Sequence, residues 1–394
     1  MRRIGETRTP DTVTSEASPN PGGITSAGRP RPQSATGASS GVATRKRTAG
    51  ERPNEFVELA RQVKESGLMD RRAGSYVLRL IVLSLAFAGA VTLLLTLGST
   101  AWQLAVAALF GILFTQLAFL SHDSAHQQVF STGRRNEWFS RIVGNLGVGL
   151  SYGWWLKKHS RHHALPNTIG HDGDIATGAL VFVPEEAEGR KGFMGWITRR
   201  QGWLFFPLLS LFAFALHYNA IRTVLFAPKV KHRALEAALV AIRLIGFPAL
   251  VFIALGPWLG LAFLGVQLAV FGVYMGGSFA PNHKGMPLIP KDEKVDFLRR
   301  QVLTSRNIRG GLLVEWAMGG LNYQIEHHLF PRMPSMNLRK VRPIVQQYCA
   351  EHDIPYTETG IVGAYVIVIR YLNRVGLGHA DPMECPITAQ YRPS

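Results

Sequence analysis

Residues 80 to 121 contain no Lys, Arg, Asp or Glu, and neither do residues 244 to 282. Runs this long and this apolar belong in a bilayer, whose hydrocarbon core a helix of about 20 residues crosses. Each run therefore has room for two spans and a turn, with Gly98-Ser99-Thr100 marking the turn in the first and Gly256-Pro257 in the second. Backbone groups in lipid must be paired within their own segment, so the spans are helices. The chain is predicted to be an all-α integral membrane protein. Its four transmembrane helices form two hairpins, at about 78–98, 101–121, 236–255 and 258–281, with interfacial helices beside them and a cytoplasmic helical domain as a cap.

Cations orient the spans. Arg71 and Arg72 precede the first span, and Arg134, Arg135, Arg141, Lys157, Lys158 and Arg161 follow the second, which puts both ends of this hairpin in the cytoplasm. The excess of 43 Lys+Arg over 26 Asp+Glu reads as the same positive-inside bias and not as a nucleic-acid-binding surface. A third apolar run, 201–221, follows Arg199 and Arg200 and precedes Arg222, Lys229, Lys231 and Arg233. Cations on both flanks predict that it lies in the interface or re-enters without crossing. Residues 54–72, helically periodic and mixed in charge, are expected on the membrane surface. Residues 136–155, with Trp138, Phe139, Tyr152 and Trp154 among glycines, are expected at the interface. Residues 1–53 have too few large apolar side chains to order and are expected as a disordered tail without an export signal. The main domain is taken as 54–360 and a C-terminal segment as 361–394, and two cysteines, Cys349 and Cys385, are too few for a disulfide framework.

Seven of the 13 histidines fall in three short clusters. His122 and His126 are spaced i, i+4; His159, His162 and His163 are spaced i, i+3, i+4; Gln324, His327 and His328 repeat that pattern with Gln in the first place. On a helix such positions share a face. Each cluster lies at the end of a long apolar run, so all three can meet at one depth, and His283 sits at the mouth of the fourth span. Imidazoles suit iron, copper, zinc or nickel, whereas magnesium and calcium prefer oxygen. Eight histidines exceed the three or four ligands of a zinc site and suit two metals with about four each. Ionisable groups at a membrane boundary are tolerated mainly where they have partners. His217, His232, His352 and His379, which stand alone, are expected as surface or packing residues. Asp123 and Glu326 are expected to orient ligand N–H groups, and the loop of Asn167, His171, Asp172 and Asp174 to cap itself or to support a ligand.

The order His-x3-His, His-x2-His-His, Gln-x2-His-His, separated by hydrophobic hairpins, resembles the integral-membrane fatty acid desaturases. Asn322-Tyr323-Gln324-Ile325-Glu326-His327-His328-Leu329-Phe330-Pro331 is similar to the third box of their Gln-x2-His-His subgroup, and the nearest likeness is to bacterial, actinobacterial acyl-CoA desaturases of the linoleoyl-CoA and stearoyl-CoA type. The resemblance implies two iron ions held by His122, His126, His159, His162, His163, His283, His327 and His328, with Gln324 as a weak ligand, a water-mediated one or a hydrogen-bond donor. It implies that O2 and two electrons remove two hydrogens from a long-chain acyl group, carried as acyl-CoA or on a lipid. The same histidine-box superfamily includes lipid hydroxylases and carotenoid ketolases, which product analysis would separate. Many relatives carry a fused cytochrome b5 domain for which this sequence has no counterpart, so the expected donor is a separate ferredoxin or flavin/iron–sulfur reductase. The expected place is the cell membrane with the site on the cytoplasmic face. Trp154, Trp155 and Trp316 are candidate walls of an acyl tunnel. Lys157, Lys158, Arg161, Arg299, Arg300, Arg306 and Arg309 are candidate partners for CoA phosphates.

Overall fold

Two helical hairpins lie side by side in the computed structural model, which describes residues 55–378. The expected tail, His379 and Cys385 fall outside the described residues. The chain runs through α1 (Glu55–Glu65), α2 (Ala73–Thr96), α3 (Gln103–Ala125), α4 (Gly133–Ile142), α5 (Tyr152–Ala164), α6 (Pro184–Ala187), α7 (Gly192–Thr198), α8 (Phe205–Ser210) and α9 (Phe212–Phe226). It continues through α10 (Arg233–Ala241), α11 (Phe247–His283), α12 (Phe297–Leu303), α13 (Gly311–Ala317), α14 (Gln324–Leu329), α15 (Leu338–Glu351) and α16 (Ile361–Gly376). Among the described residues, two three-residue parallel strands, β1 (Asn307–Arg309) and β2 (Glu358–Gly360), and an isolated bridge between Thr168 and Ile289 depart from the all-α expectation.

The first hairpin is α2 and α3. Its turn leaves the last carbonyls of α2 without helical partners, and the buried Gln103 side chain supplies them, donating to Leu94 O and Gly98 O at 3.0 Å each. The second hairpin is α10, a π-helical turn at Ile242–Gly246, and α11. Gly256 breaks α11 with φ 70° and ψ −179°, a conformation only glycine adopts readily, and Pro257 restarts it. Phe247 and Phe263 show that the chain reverses there: their rings are 6.4 Å apart, whereas 16 residues of straight helix would separate them by about 24 Å. α11 packs directly on α3 because Gly111 has no side chain; a Cβ there would come within 2.9 Å of Gln267 O. Phe110, Phe114, Phe247 and Phe263 fill the seam between the hairpins.

The spans start and stop differently from the expected bounds. α3 runs on to Ala125, so His122 belongs to the spanning helix itself and does not follow it. Four stretches are long and apolar enough to cross a membrane: α2, α3, the pair α8 and α9 together, and the α10–α11 stretch that folds back at Gly256. The run assigned to the interface is thus a helix of membrane length, bent at Leu211.

A cap of α1, α12, α14 and α15 covers the ends of the hairpins. Here the surface-helix reading of 54–72 is corrected: Leu59 and Val63 of α1 are fully buried against Leu298, Val302, Val341 and Val345. An amphipathic helix has the same sequence pattern whether lipid or protein covers its apolar face. α16, in the segment set beyond residue 360, packs on α11, with Tyr365 Oη donating to Gly277 O at 2.9 Å and Val368 and Leu372 buried against Phe205 and Leu209.

Candidate metal centre

Each histidine cluster reaches the centre on a different element. His122 is in the last turn of α3 and His126 is its C-cap; His283 ends α11; His327 and His328 lie in α14. α5 carries His159, His162 and His163. Its N-cap Ser151 accepts from Trp154 N at 3.2 Å, and Ser151 Oγ donates to the buried Glu236 of α10 at 2.7 Å. Glu236 also accepts from Gly153 N and from the guanidinium of buried Arg141, each at 3.2 Å. An isolated buried carboxylate is costly, and this one is retained because three donors converge on it. Together they hold the start of α5 against the second hairpin.

The eight imidazoles divide five and three. One ring nitrogen each of His122, His126, His159, His163 and His327 lies within 4.8 Å of the others, and those of His162, His283 and His328 form a second group. The grouping of ring nitrogens is uneven where about four per metal was expected, because α5 sends His159 and His163 to one group and His162 to the other. His159 Nε2 lies 2.8 Å from His126 Nε2, 3.0 Å from His163 Nε2 and 3.1 Å from His122 Nε2. A single N–H serves only one such neighbour, so lone pairs face lone pairs unless a cation lies among them. In the second group His162 Nε2 and His283 Nε2 are 3.3 Å apart, and His328 Nε2 is buried without a hydrogen-bond partner.

The outer nitrogens explain how the inner ones are freed. His162 Nδ1 donates to Asp172 Oδ2, His283 Nδ1 to Thr304 O and His328 Nδ1 to Gln301 Oε1, all at 2.9 Å. Those acceptors fix the tautomer and leave each Nε2 with its lone pair inward. Gln301 is held in turn by donating Nε2 to His163 O at 3.0 Å. Burial first, then repulsion from neighbouring imidazoles, holds His159, His163, His327 and His328 well below the usual imidazole range, so they stand neutral and ready to ligate. For Asp172, burial pushes its carboxyl up, but His162 and Lys284 outweigh it and the net direction is down. An all-nitrogen donor set with converging ring nitrogens fits two transition-metal ions.

Other expected residues separate into those that meet the centre and those that do not. Asp123 Oδ1 is 3.4 Å from His122 Nδ1 and its other oxygen accepts from Ser335 Oγ at 2.8 Å. Glu326 does not orient a ligand: it accepts from Tyr356 Oη at 2.6 Å and Asn307 Nδ2 at 2.7 Å, and burial raises its pKa to about 7. In the polar loop, Asp172 supports His162, Asn167 Nδ2 donates to His283 O at 3.1 Å, and Asp174 pairs with Lys158. Exposed His171 lines a groove of about 530 Å³ outside α5, beside Trp154, Lys157, Lys158 and Arg161. Among the lone histidines, His217 reaches Gly149 O at 3.2 Å and His352 stacks on Tyr348. Arg306 is removed from the exposed cationic face: it is 1% exposed and donates to Pro281 O and Lys284 O, each at 2.9 Å. Thr304, Gln301 and Asn282 carried no signal in the sequence, being single polar residues whose partners are fixed only by the fold.

An apolar cavity of about 30 Å³ opens beside His122, lined by Ala118, Leu150, Tyr152, Trp155, Met275 and Phe279 among others. Trp155 forms its edge and stacks on His159, ring centroids 4.4 Å apart. Trp316, in contrast, is exposed, and its carbonyl accepts from Gln116 Nε2 at 3.2 Å.

The sequence is similar to known proteins. The family model for fatty acid desaturases matches residues 99–360. The chain is 31% identical to an acyl-lipid (9-3)-desaturase of Physcomitrium patens over 78% of its own length and 59% of that protein. It is 28% identical to the Delta(6)-fatty-acid desaturase fat-3 of Caenorhabditis elegans, covering 81% of this chain and 74% of the other. With the Delta(5) fatty acid desaturase fat-4 of the same nematode the identity is 29%, over 76% and 69%.

Proposed function

The chain belongs to the fatty acid desaturase family and is an oxidoreductase acting on fatty acyl groups, and we propose that it introduces a cis double bond into a long-chain acyl group carried as the CoA thioester. The observation that carries this reading is the pair of imidazole groups beside an apolar cavity at the ends of two hairpins. The metal ions we assign are iron, held by His122, His126, His159, His163 and His327 in one group and by His162, His283 and His328 in the other. Bound there, they would supply the activation of O2, whose four-electron reduction to two waters draws two electrons from the donor, two protons from solution and two hydrogens from the acyl chain. The remaining work falls to the protein. Met275, Phe279, Ala118, Leu150 and Trp155 line the small apolar cavity beside His122, and in this reading they would keep water from the reacting carbons. An acyl chain has no polar handle at those carbons, so its register is set by distance from the head group. Lys157 and Arg161, exposed on the groove outside α5, suit the phosphates of such a head group.

The proposed setting is the cell membrane, multi-pass, with the centre on the cytoplasmic face. The electrons would come from a separate protein, a ferredoxin or a flavin/iron–sulfur reductase, drawn by the cationic surface. The test is direct. The purified chain with reductant, donor and O2 is given stearoyl-CoA, linoleoyl-CoA or a matching phospholipid, and products are read by gas chromatography with mass spectrometry. A new double bond from a CoA thioester is expected; a hydroxylated product, or turnover on the phospholipid alone, would overturn the corresponding part.

A further inference from the structure

We propose that Gln324 serves the three-imidazole group as a hydrogen-bond donor and not as a metal ligand, with Asn282 as the residue that positions it. The orientation begins at a backbone carbonyl. Leu321 O can only accept, and it lies 2.6 Å from Asn282 Nδ2, so the Asn282 amide presents its nitrogen on that side. The same nitrogen donates to Gln324 Oε1 at 2.9 Å, which assigns the oxygen end of the Gln324 amide to Asn282. What faces the imidazoles is therefore Gln324 Nε2, 3.0 Å from His283 Nε2. His283 spends its own N–H on Thr304 O, so its Nε2 carries a lone pair and accepts the Gln324 N–H beside it; once that lone pair is given to a metal, the N–H is left to face a further group at the site.

Both amides are buried, Gln324 at 2% exposure and Asn282 at 0%. Turning Gln324 over would set its NH2 against the Asn282 NH2 and leave donors unpaired in a buried site, a costly arrangement. An amide nitrogen has no lone pair to give a metal. A histidine at this position would offer one; glutamine replaces that ligand by an N–H. The group then has three imidazole ligands, and three protein ligands leave room for an exogenous one, beside which stands a fixed donor. The i, i+3, i+4 spacing thus survives in the third cluster while the chemistry of its first place changes.

This inference rests on the metal-centre reading, and the experiment separates the two. The full chain, purified in detergent, is loaded with Co(II), whose visible spectrum reports its ligand set, and titrated with azide as a small anionic acceptor. Gln324→Leu is expected to bind two Co(II) per chain with the parent spectrum, while its azide dissociation constant rises about tenfold, as for loss of one hydrogen bond to a charged group. Asn282→Ala, which frees the amide to turn, should weaken azide in the same direction, and the double variant should be no weaker than Gln324→Leu alone. A parent chain that binds no Co(II) would remove the metal-centre reading itself. Two Co(II) in the parent but one in Gln324→Leu, or a spectrum altered before azide is added, would make the amide a ligand. Azide affinity unchanged in Gln324→Leu would also overturn the proposal.

Discussion

Asp172 accepts the short hydrogen bond from His162 Nδ1 that fixes its tautomer, with Asp174 Oδ2 farther off at 3.4 Å, so Asp172→Ala should lower metal affinity or turnover by about 10–100-fold, the usual cost of removing such an acceptor. His162→Ala should go further and abolish activity with the protein still in the membrane, since neither hairpin is built on that ring; metal content and turnover of the two variants check both outcomes, and wild-type turnover in His162→Ala would displace the centre from α5. The spacing of the histidines was legible because helical periodicity puts i, i+3 and i+4 on one side. Their partition was not. His162 and His163 are adjacent in sequence and belong to different groups, a separation decided by where α11 and α14 approach α5. The acceptors Thr304 and Gln301 were equally silent, since a carbonyl or an amide becomes a support only when the fold brings an imidazole to it. Glu326 illustrates the opposite error: a carboxylate inside a histidine cluster invited a role toward the ligands, but α14 turns it toward Tyr356 and Asn307.

At the scale of elements, α5 depends on α10 through Glu236. Glu236→Ala would leave Arg141 buried with a single acidic partner, Glu137, and remove the carboxylate that Ser151 and Gly153 bind. Breaking a buried pair in this way costs about 3–5 kcal/mol. The expected result is a melting temperature several degrees lower and loss of metal from the five-imidazole group; a variant as stable as the parent would mean that α5 is placed by its packing alone. Nothing in the sequence announced this tie, because Glu236 precedes the uncharged run and reads as an ordinary flanking charge. That the two uncharged runs form long apolar helices was legible, since a water-facing helix of that length would carry charge along its exposed side and these runs carry none; that α8 and α9 reach the same length was not read from 201–221. The π-helical turns at Val143–Val148 and Ile242–Gly246 left no mark, being local adjustments to packing between the hairpins.

For the whole molecule, two consequences follow from charge and parity. The net charge of +17 and the exposed Lys157 and Arg161 predict that turnover with an acidic electron donor falls as salt rises, because screening removes long-range steering; sustained turnover of the purified chain with NADPH alone would refute a separate donor. Parity constrains the topology more sharply. Trp102 and Trp258, 73% and 83% exposed, sit at the two hairpin turns, where indole rings favour the lipid–water boundary. From Trp102 to His122 is 20 residues of helix, about 30 Å, the thickness of the hydrocarbon core, which supports the proposal that the turns lie at one face and the imidazoles at the other. α5 and α14 both deliver ligands to that second face, which requires an even number of crossings between them. The hairpin of α10 and α11 supplies two. On that parity we propose that α8 and α9, although long and apolar enough to span, supply none; the bend at Leu211 with cations at Arg199, Arg200, Arg222 and Arg233 suits a helix that enters the interface and returns. Single cysteines at Gly98 and Gly256 should react with an impermeant label from outside, and cysteines at Arg199 and Arg233 from the cytoplasm. If positions 199 and 233 label from opposite sides, α8 and α9 cross, and one of the remaining spans cannot.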